Sequence, residues 1–255
     1  MTAIDLNADL GELPGPDGAA IDDALLAVVS SVNVACGGHA GTRESMRRVC
    51  SAASWQGVSV GAHVSYPDPD GFGRRTLDLP ERVLRDSLTR QIGDLQDNAL
   101  AGDTTVDYVK PHGALYHDAA DDPRLADMII EVAAAAGIAV LTLPDRHLHQ
   151  RAQSHGIAAF TEAFADRAYR DDGALVPRSM AGAVLTDEDV VAQRVVAIAR
   201  REPIVTQSDS IITLAVDSVC LHGDTPGAVA TAARIARRLH ESGIQVRSFV
   251  PGSRS

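Results

Sequence analysis

Val106-Asp107-Tyr108-Val109-Lys110-Pro111-His112-Gly113-Ala114-Leu115-Tyr116 is the stretch from which the fold is read. A β-branched run stops at a lysine, a proline, a histidine and a glycine, as a strand does where it leaves a sheet for a loop. Four other runs end the same way. Ala3–Asn7 leads into N-A-D-L-G-E (7–12), Ser31–Cys36 into C-G-G-H-A-G (36–41) and Val58–Ala62 into G-A-H-V-S-Y-P-D (61–68). Ile211–Leu221 leads into L-H-G-D (221–224), and Ala139–Leu143 and Val246–Val250 read as further strands.

Between these runs lie segments of helical period: Asp22–Val29, Thr42–Trp55, Glu81–Leu100, Asp122–Ala136, Asp187–Arg201 and Ala228–Ser242. Gly57, Gly102, Gly137 and Gly243 follow four of them, where a helix end favours a residue with positive φ. Strand-helix alternation at this spacing means parallel strands with crossover helices. An open sheet would gather its polar loops at one switch point, whereas a barrel turns the loops after all its strands toward one mouth. Polar clusters after five strands predict a single α/β domain over residues 1–255, an irregular (β/α) barrel of seven or eight mostly parallel strands. Glu162–Met180, long, charged and rich in small residues, reads as a mobile lid or a docking arm.

The composition excludes several partners. A net charge of −11 and no basic run argue against nucleic acid and anionic membrane surfaces. Only 4% of residues are aromatic, too few for a base-stacking platform. The first residues lack the basic start and apolar run of a signal peptide, and no stretch reaches the ~20 apolar residues of a membrane span. Cys36, Cys50 and Cys220 show no C-x-x-C spacing and read as reduced thiols, so the expected location is cytoplasmic.

Of 23 basic Lys and Arg residues only Lys110 is a lysine. Where a charge merely solubilises a surface the two types serve alike. A compact amine on a thin stem differs from a planar fork where geometry or proton transfer matters. His39, His63, His112 and His222 stand in the strand-end loops with Asp9, Glu12, Asp68 and Asp224. Two chemistries fit these groups. Asp9, His39 and His63 could hold a divalent first-row metal, or the same side chains could perform acid-base work without one. Arg74, in G-F-G-R-R (71–75), and Arg167 and Arg178, in the irregular stretch after residue 164, are candidates for recognising carboxylate or phosphate. A Walker-A loop, a G-x-G-x-x-G fingerprint and a G-x-S-x-G elbow are all absent.

Taken together, I-D-L-N-A-D-L-G-E, V-N-V-A-C-G-G-H-A-G, G-A-H-V-S-Y-P-D with G-F-G-R-R, Y-V-K-P-H-G-A-L-Y, F-A-D-R-A-Y, L-V-P-R-S and V-C-L-H-G-D resemble the LamB/YcsF family. That family is the A subunit of bacterial 5-oxoprolinase, and the resemblance spans Ile4 to about Val246. Two positions depart from it: Gly38 stands where Phe is usual, which would leave an aromatic wall missing beside His39, and Val64 stands where Pro is usual.

The resemblance implies a barrel akin to polysaccharide deacetylases. It also implies ATP-dependent opening of 5-oxo-L-proline to L-glutamate, shared with separate B and C subunits, with ATP as cosubstrate of the complex. On that reading Asp9, His63, His112 and Lys110 are the catalytic candidates. Asn7, Glu12, Arg74, Arg167, His222 and Asp224 are the substrate-binding ones. Two alternatives stay open: a self-sufficient metal-dependent deacetylase or amidohydrolase, and a non-catalytic binding subunit.

Overall fold

A computed structural model of the chain describes residues 2–178, 180–221, 223 and 227–250. Strands and helices alternate through its first half: β1 (Ala3–Leu10), α1 (Gly15–Leu26), β2 (Ser31–Ala35), α2 (Arg43–Gln56), β3 (Ser59–Val64), α3 (Glu81–Ala101) and β4 (Val106–Pro111). Then follow α4 (Gly113–Asp121), α5 (Pro123–Ala136), β5 (Ala139–Thr142), α6 (His147–Ser154), β6 (Ala159–Phe164) and α7 (Glu188–Ala199). The last elements are β7 (Ile204–Val205), β8 (Ile211–Ile212), β9 (Ser218–Leu221), α8 (Ala228–Glu241) and β10 (Gln245–Val246).

Strands β1 to β6 pair in order, β6 pairs with β9, and β9 pairs back onto β1, all parallel. The result is the α/β barrel anticipated from the loops, closed by seven strands. β10 adds only to the first residues of β1, at Ala3 and Ile4. Among the described residues no helix is long and apolar enough to cross a membrane.

The interior of this barrel is polar. Asp5, Asn7 and Asp9 alternate along β1 with Ile4, Leu6, Ala8 and Leu10, and all seven are buried. The apolar set joins Val32, Val34, Val60, Ala62 and Val219 in one core with helix residues such as Leu25, Val49, Leu88, Leu95 and Ile235. The polar set bonds across the barrel axis. Asn7 Nδ2 donates to Ser218 Oγ (2.7 Å) and Glu162 Oε2 (3.1 Å), and Asn33 Nδ2 donates to Asn7 Oδ1 (2.7 Å) and Asp9 Oδ1 (2.8 Å). Most such barrels fill this space with branched apolar side chains. Here hydrogen bonds replace them, as buried polar groups require. Gly61 makes room for one large ring: a Cβ there would lie inside the Tyr108 ring. Below, Phe249 packs on Tyr108 and Phe160, with ring centroids 5.0 and 4.6 Å away.

Several elements differ from the sequence reading. Ile211–Leu221 is not one strand: Ile211–Ile212 pairs antiparallel with Ile204–Val205, and only Ser218–Leu221 joins the barrel. Between them the exposed Asp217 accepts from the Thr161 amide (2.8 Å) and hydroxyl (3.1 Å). The run at Val246–Val250 is strand only at Gln245–Val246, because the chain then carries Phe249 beneath the barrel. α1 begins at Gly15 rather than Asp22, and β6, α4 and α6 have no counterpart among the expected elements. Gly57, Gly137 and Gly243 take the expected left-handed conformation, whereas Gly102 has φ −101° and Asp103 carries the positive φ.

Asp5 offers a measurable consequence. Ser30 Oγ (2.6 Å), Ser31 Oγ (2.8 Å) and Ser218 Oγ all donate to its carboxyl, yet burial outweighs them and pushes its pKa from 3.8 up to about 6. The folded state therefore holds this proton more tightly than the unfolded chain does. The associated stability is complete below about pH 4 and is lost as pH rises through about 6. At ~1.4 kcal/mol per unit, the loss is roughly 3 kcal/mol. Urea denaturation across that range is expected to show this slope in the wild-type chain and a flatter one in Asp5→Asn.

Candidate active site

The C-terminal ends of four strands and the loops after them deliver the site. β1 supplies Asp9 and, past Gly11 (φ 74°), Glu12; the loop after β2 supplies His39; β3 supplies His63. β4 supplies Lys110 and then His112, which is the N-cap of α4. In-register pairing of Ala35 with His63 and of His63 with Lys110 sets these groups side by side.

Lys110 is 2% exposed. Its amine lies 3.1 Å from Asp9 Oδ1, 3.1 Å from Glu162 Oε2, 3.1 Å from Cys220 Sγ and 3.3 Å from Asn7 Oδ1. Burial by itself would lower its pKa. Asp9, Cys220 and Glu162 more than offset that and hold it well above the usual lysine value. Asp9 then links this amine to the histidines, because its Oδ2 is 3.3 Å from His63 Nε2.

Three imidazoles and one carboxylate converge beside Asp9. Ligand atoms of Glu12, His39, His63 and His112 all lie within 4.8 Å of one another. His39 and His112 stack with centroids 3.7 Å apart, and Phe72 packs edge-on against both.

The outer ring nitrogens decide the tautomers. His63 Nδ1 is 3.1 Å from the Lys110 carbonyl and His112 Nε2 is 3.0 Å from the Phe72 carbonyl. Carbonyls only accept, so both nitrogens carry the proton. His39 Nδ1 faces Ser65 Oγ (3.1 Å), whose own proton goes to the Tyr66 carbonyl (2.8 Å), so His39 donates there too. In a neutral ring of this tautomer the inner nitrogen is bare. Yet His63 Nε2 and His112 Nδ1 face each other at 2.9 Å, and His39 Nε2 faces Glu12 Oε1 at 2.9 Å.

Bare lone pairs at that separation repel unless a cation lies between them. Protonation of His39 and His112 is disfavoured: burial and then His63 lower His39 to about 2, and the same causes lower His112 as well. Asp9 and Glu162 already flank the one buried amine, and a third carboxylate, Glu12, lies 3.7 Å from His63 Nε2. The residues therefore fit a divalent metal, with imidazole and carboxylate donors suited to a first-row ion. Each ring is also anchored through its far nitrogen, as metal-binding histidines are. Relative to the expected set of Asp9, His39 and His63, Glu12 and His112 complete the group, and Asp9 stands behind His63.

This cluster opens into a cavity of about 380 Å³. Its wall includes Asp9, Glu12, His63, Arg74, Lys110, His112, Tyr116, His117, Phe164, Arg167 and Arg178. Arg74 spans the Phe72 ring at 5.0 Å. Arg167 is buried, and its guanidinium ties down the arm by donating to the Val176 (2.6 Å) and Ala183 (3.4 Å) carbonyls. Bridges at Arg167–Val184 and Tyr169–Leu175 hold the same arm in an ordered hairpin-like path, while Glu162 itself belongs to β6.

Not every candidate reaches the cavity. Asn7 lies below it, bonded on both ends of its amide. Asp68 is a loop clamp, accepting from Arg75 Nε (3.0 Å) and the Gly71 amide (3.1 Å), and Arg75 holds its carboxyl below the usual range. His222 and Asp224 lie outside the described residues.

Glu162, Tyr116 and His117 are absent from the candidates that the sequence yields; Glu162 sits on the one barrel strand that the hydrophobic pattern does not reveal. The wall expected to be missing at Gly38 is also not a void. A Cβ there would collide with Ser65 Oγ and Gln91 Oε1, and Gln91 uses that position to bond Ser65, the partner of His39.

Residues 4–253 match the family described as LamB/YcsF. The chain belongs to the LamB/YcsF family. The 5-oxoprolinase A subunit of Streptomyces avermitilis is 48% identical over 248 residues, covering 96% of this chain and 99% of that protein. Among solved structures, the lactam utilization protein of Thermus thermophilus superposes with a TM-score of 0.89 at 33% identity, covering 97% of this chain and all of that one. A polysaccharide deacetylase of Bacillus cereus superposes with a TM-score of 0.52 at 13% identity, covering 98% and 94% of the two chains, and shares the fold. That likeness agrees with the barrel type that the motifs implied.

The LamB/YcsF chain is expected to take up about one equivalent of a divalent first-row metal, measured by elemental analysis after gel filtration. Ser65→Ala, which removes the acceptor orienting His39, should weaken that affinity ~10–100-fold in a chelator competition. A chain that stays metal-free after incubation with zinc, manganese or cobalt rejects the assignment.

Proposed function

We propose that this chain is the A subunit of an ATP-dependent 5-oxoprolinase, opening the lactam of 5-oxo-L-proline to L-glutamate with separate B and C subunits. The observation that carries the proposal is the burial of Lys110 one carboxylate away from the imidazole cluster, in a cavity sized for a small ligand. The names of its relatives point the same way. With no nucleotide-binding loop in the sequence, the phosphoryl chemistry of ATP falls to the partner subunits, and this one receives the activated lactam.

A five-membered lactam carbonyl is a poor electrophile, so the site must supply a base for water, a stabiliser for developing charge and a proton for the leaving nitrogen. Asp9 is the base. Its Oδ1 is fixed by Lys110 and Asn33 (2.8 Å), which leaves Oδ2 directed at the cluster. Lys110 keeps a positive charge beneath that carboxylate and holds it in position. Its raised pKa favours charge stabilisation over proton donation. The proton that Asp9 takes from water is the one it can return to the ring nitrogen. A divalent metal held by Glu12, His39, His63 and His112 would polarise a bound carbonyl or water. Arg74 and Arg167 face the anionic part of the ligand.

Lys110→Arg is the discriminating substitution. The planar fork keeps the charge but cannot occupy a point between Asp9, Glu162, Cys220 and Asn7. Oxoproline-dependent ADP release by the reconstituted complex should fall ~10²–10⁴-fold. Thermal denaturation of the variant separates this effect from loss of fold. Near wild-type turnover would remove Lys110 from the mechanism, and full activity without the partner subunits would favour the self-sufficient amidohydrolase.

A further inference from the structure

Another stretch of the cavity wall has a different character from the imidazole cluster. Arg167, Arg178 and His117 line it, together with Leu175, Val176 and Pro177 of the arm. Arg167 is only 3% exposed, and its hydrogen bonds, to the Val176 and Ala183 carbonyls, are to neutral acceptors. Among the described residues neither Arg167 nor Arg178 forms an ion pair, although most other arginines of this acidic chain do. His117 lies in the fields of both. Burial and then the Arg178 charge lower the Arg167 pKa, against the opposing field of Asp166. The first residues of α4, Gly113 and Ala114, line the same cavity and present the positive end of that helix.

We infer that Arg178, Arg167 and His117 form an anion-binding pole of the cavity, which takes a carboxylate or phosphoryl oxygen of the ligand while the reacting carbonyl lies at the imidazole cluster. The inference deepens the proposed function, on which it rests for the identity of the lactam acid. Guanidinium forks pair with either oxyanion in bidentate fashion. The cavity is large enough for both, since 380 Å³ corresponds to the liquid volume of roughly a dozen waters. Lys110 cannot serve as this pole, because its donors are already committed to Asp9, Glu162 and Asn7.

Binding to the full chain by titration calorimetry tests the pole with three probes: 5-oxo-L-proline, 2-pyrrolidinone, which lacks the carboxylate, and inorganic phosphate. Arg178 is exposed on the arm and its replacement should leave the fold intact. Arg178→Gln is expected to weaken an anion about 10–100-fold, as loss of a charge-assisted bond does, and to leave 2-pyrrolidinone unchanged. Phosphate that competes with 5-oxo-L-proline places the carboxylate at the pole, and phosphate that binds alongside it places a phosphoryl group there. Arg178-dependent binding of phosphate without any binding of 5-oxo-L-proline would uphold the pole and sink the lactam reading. Unchanged affinity for both anions, an equal loss for 2-pyrrolidinone, or binding of neither anion to the wild-type chain would overturn the pole itself.

Discussion

One ammonium group inside the barrel sets the terms for everything above it. Lys110 is buried with Asp9 on one side and Glu162 on the other, and the strands that carry these three residues are β4, β1 and β6. A buried charge of this kind is tolerated only when its partners are fixed, and removing one of them typically costs ~3–5 kcal/mol. The barrel therefore has to close in a register that brings β1, β4 and β6 to one axial level. The same demand explains the choice of lysine in a chain that otherwise uses arginine. The amine is a point with donors in several directions, whereas a guanidinium is a plane.

The polar axis also explains where the apolar residues went. In a barrel filled by branched side chains, strands carry hydrophobic residues on both faces. Here only the outward face of β1 packs on helices, while Asp5, Asn7 and Asp9 face the axis and bond to Ser218, Glu162 and Asn33. A hydrogen-bonded interior specifies one register, because a slip of one residue would exchange every polar residue for an apolar one. The Asp9 carboxylate at the top of β1 is thus held by the same network that fixes the barrel. Its position does not depend on a flexible loop.

This architecture accounts for what the sequence disclosed. The barrel was legible because clusters such as C-G-G-H-A-G and K-P-H-G-A-L-Y follow separate strands and must share a mouth, and the cavity does gather His63, His112 and Lys110. β6 was not legible, since A-F-T-E-A-F places a glutamate where a buried strand should be apolar, and its partner lysine is 52 positions away in the chain. Glu162 was lost with it. The composition of the imidazole group was half-legible. His39 and His63 announce themselves, but only the fold shows that Gly11 turns Glu12 back toward them and that α4 begins with His112. Arg167 illustrates the opposite limit: residue type suggested ligand binding, and the structure adds a second task, holding the arm through two backbone carbonyls.

The floor and the wall of the cavity consequently differ in kind. The floor consists of strand residues locked by reciprocal hydrogen bonds, which fix Asp9 and Lys110 against each other. The wall that carries Arg178 belongs to a segment that bonds largely to itself, through bridges at Arg167–Val184 and Tyr169–Leu175 and through Arg167, and to β6 where the Phe164 amide donates to the Tyr169 hydroxyl (2.7 Å). Arg167, which touches both the arm and the cavity, is the side chain through which an occupied site could hold the wall in place.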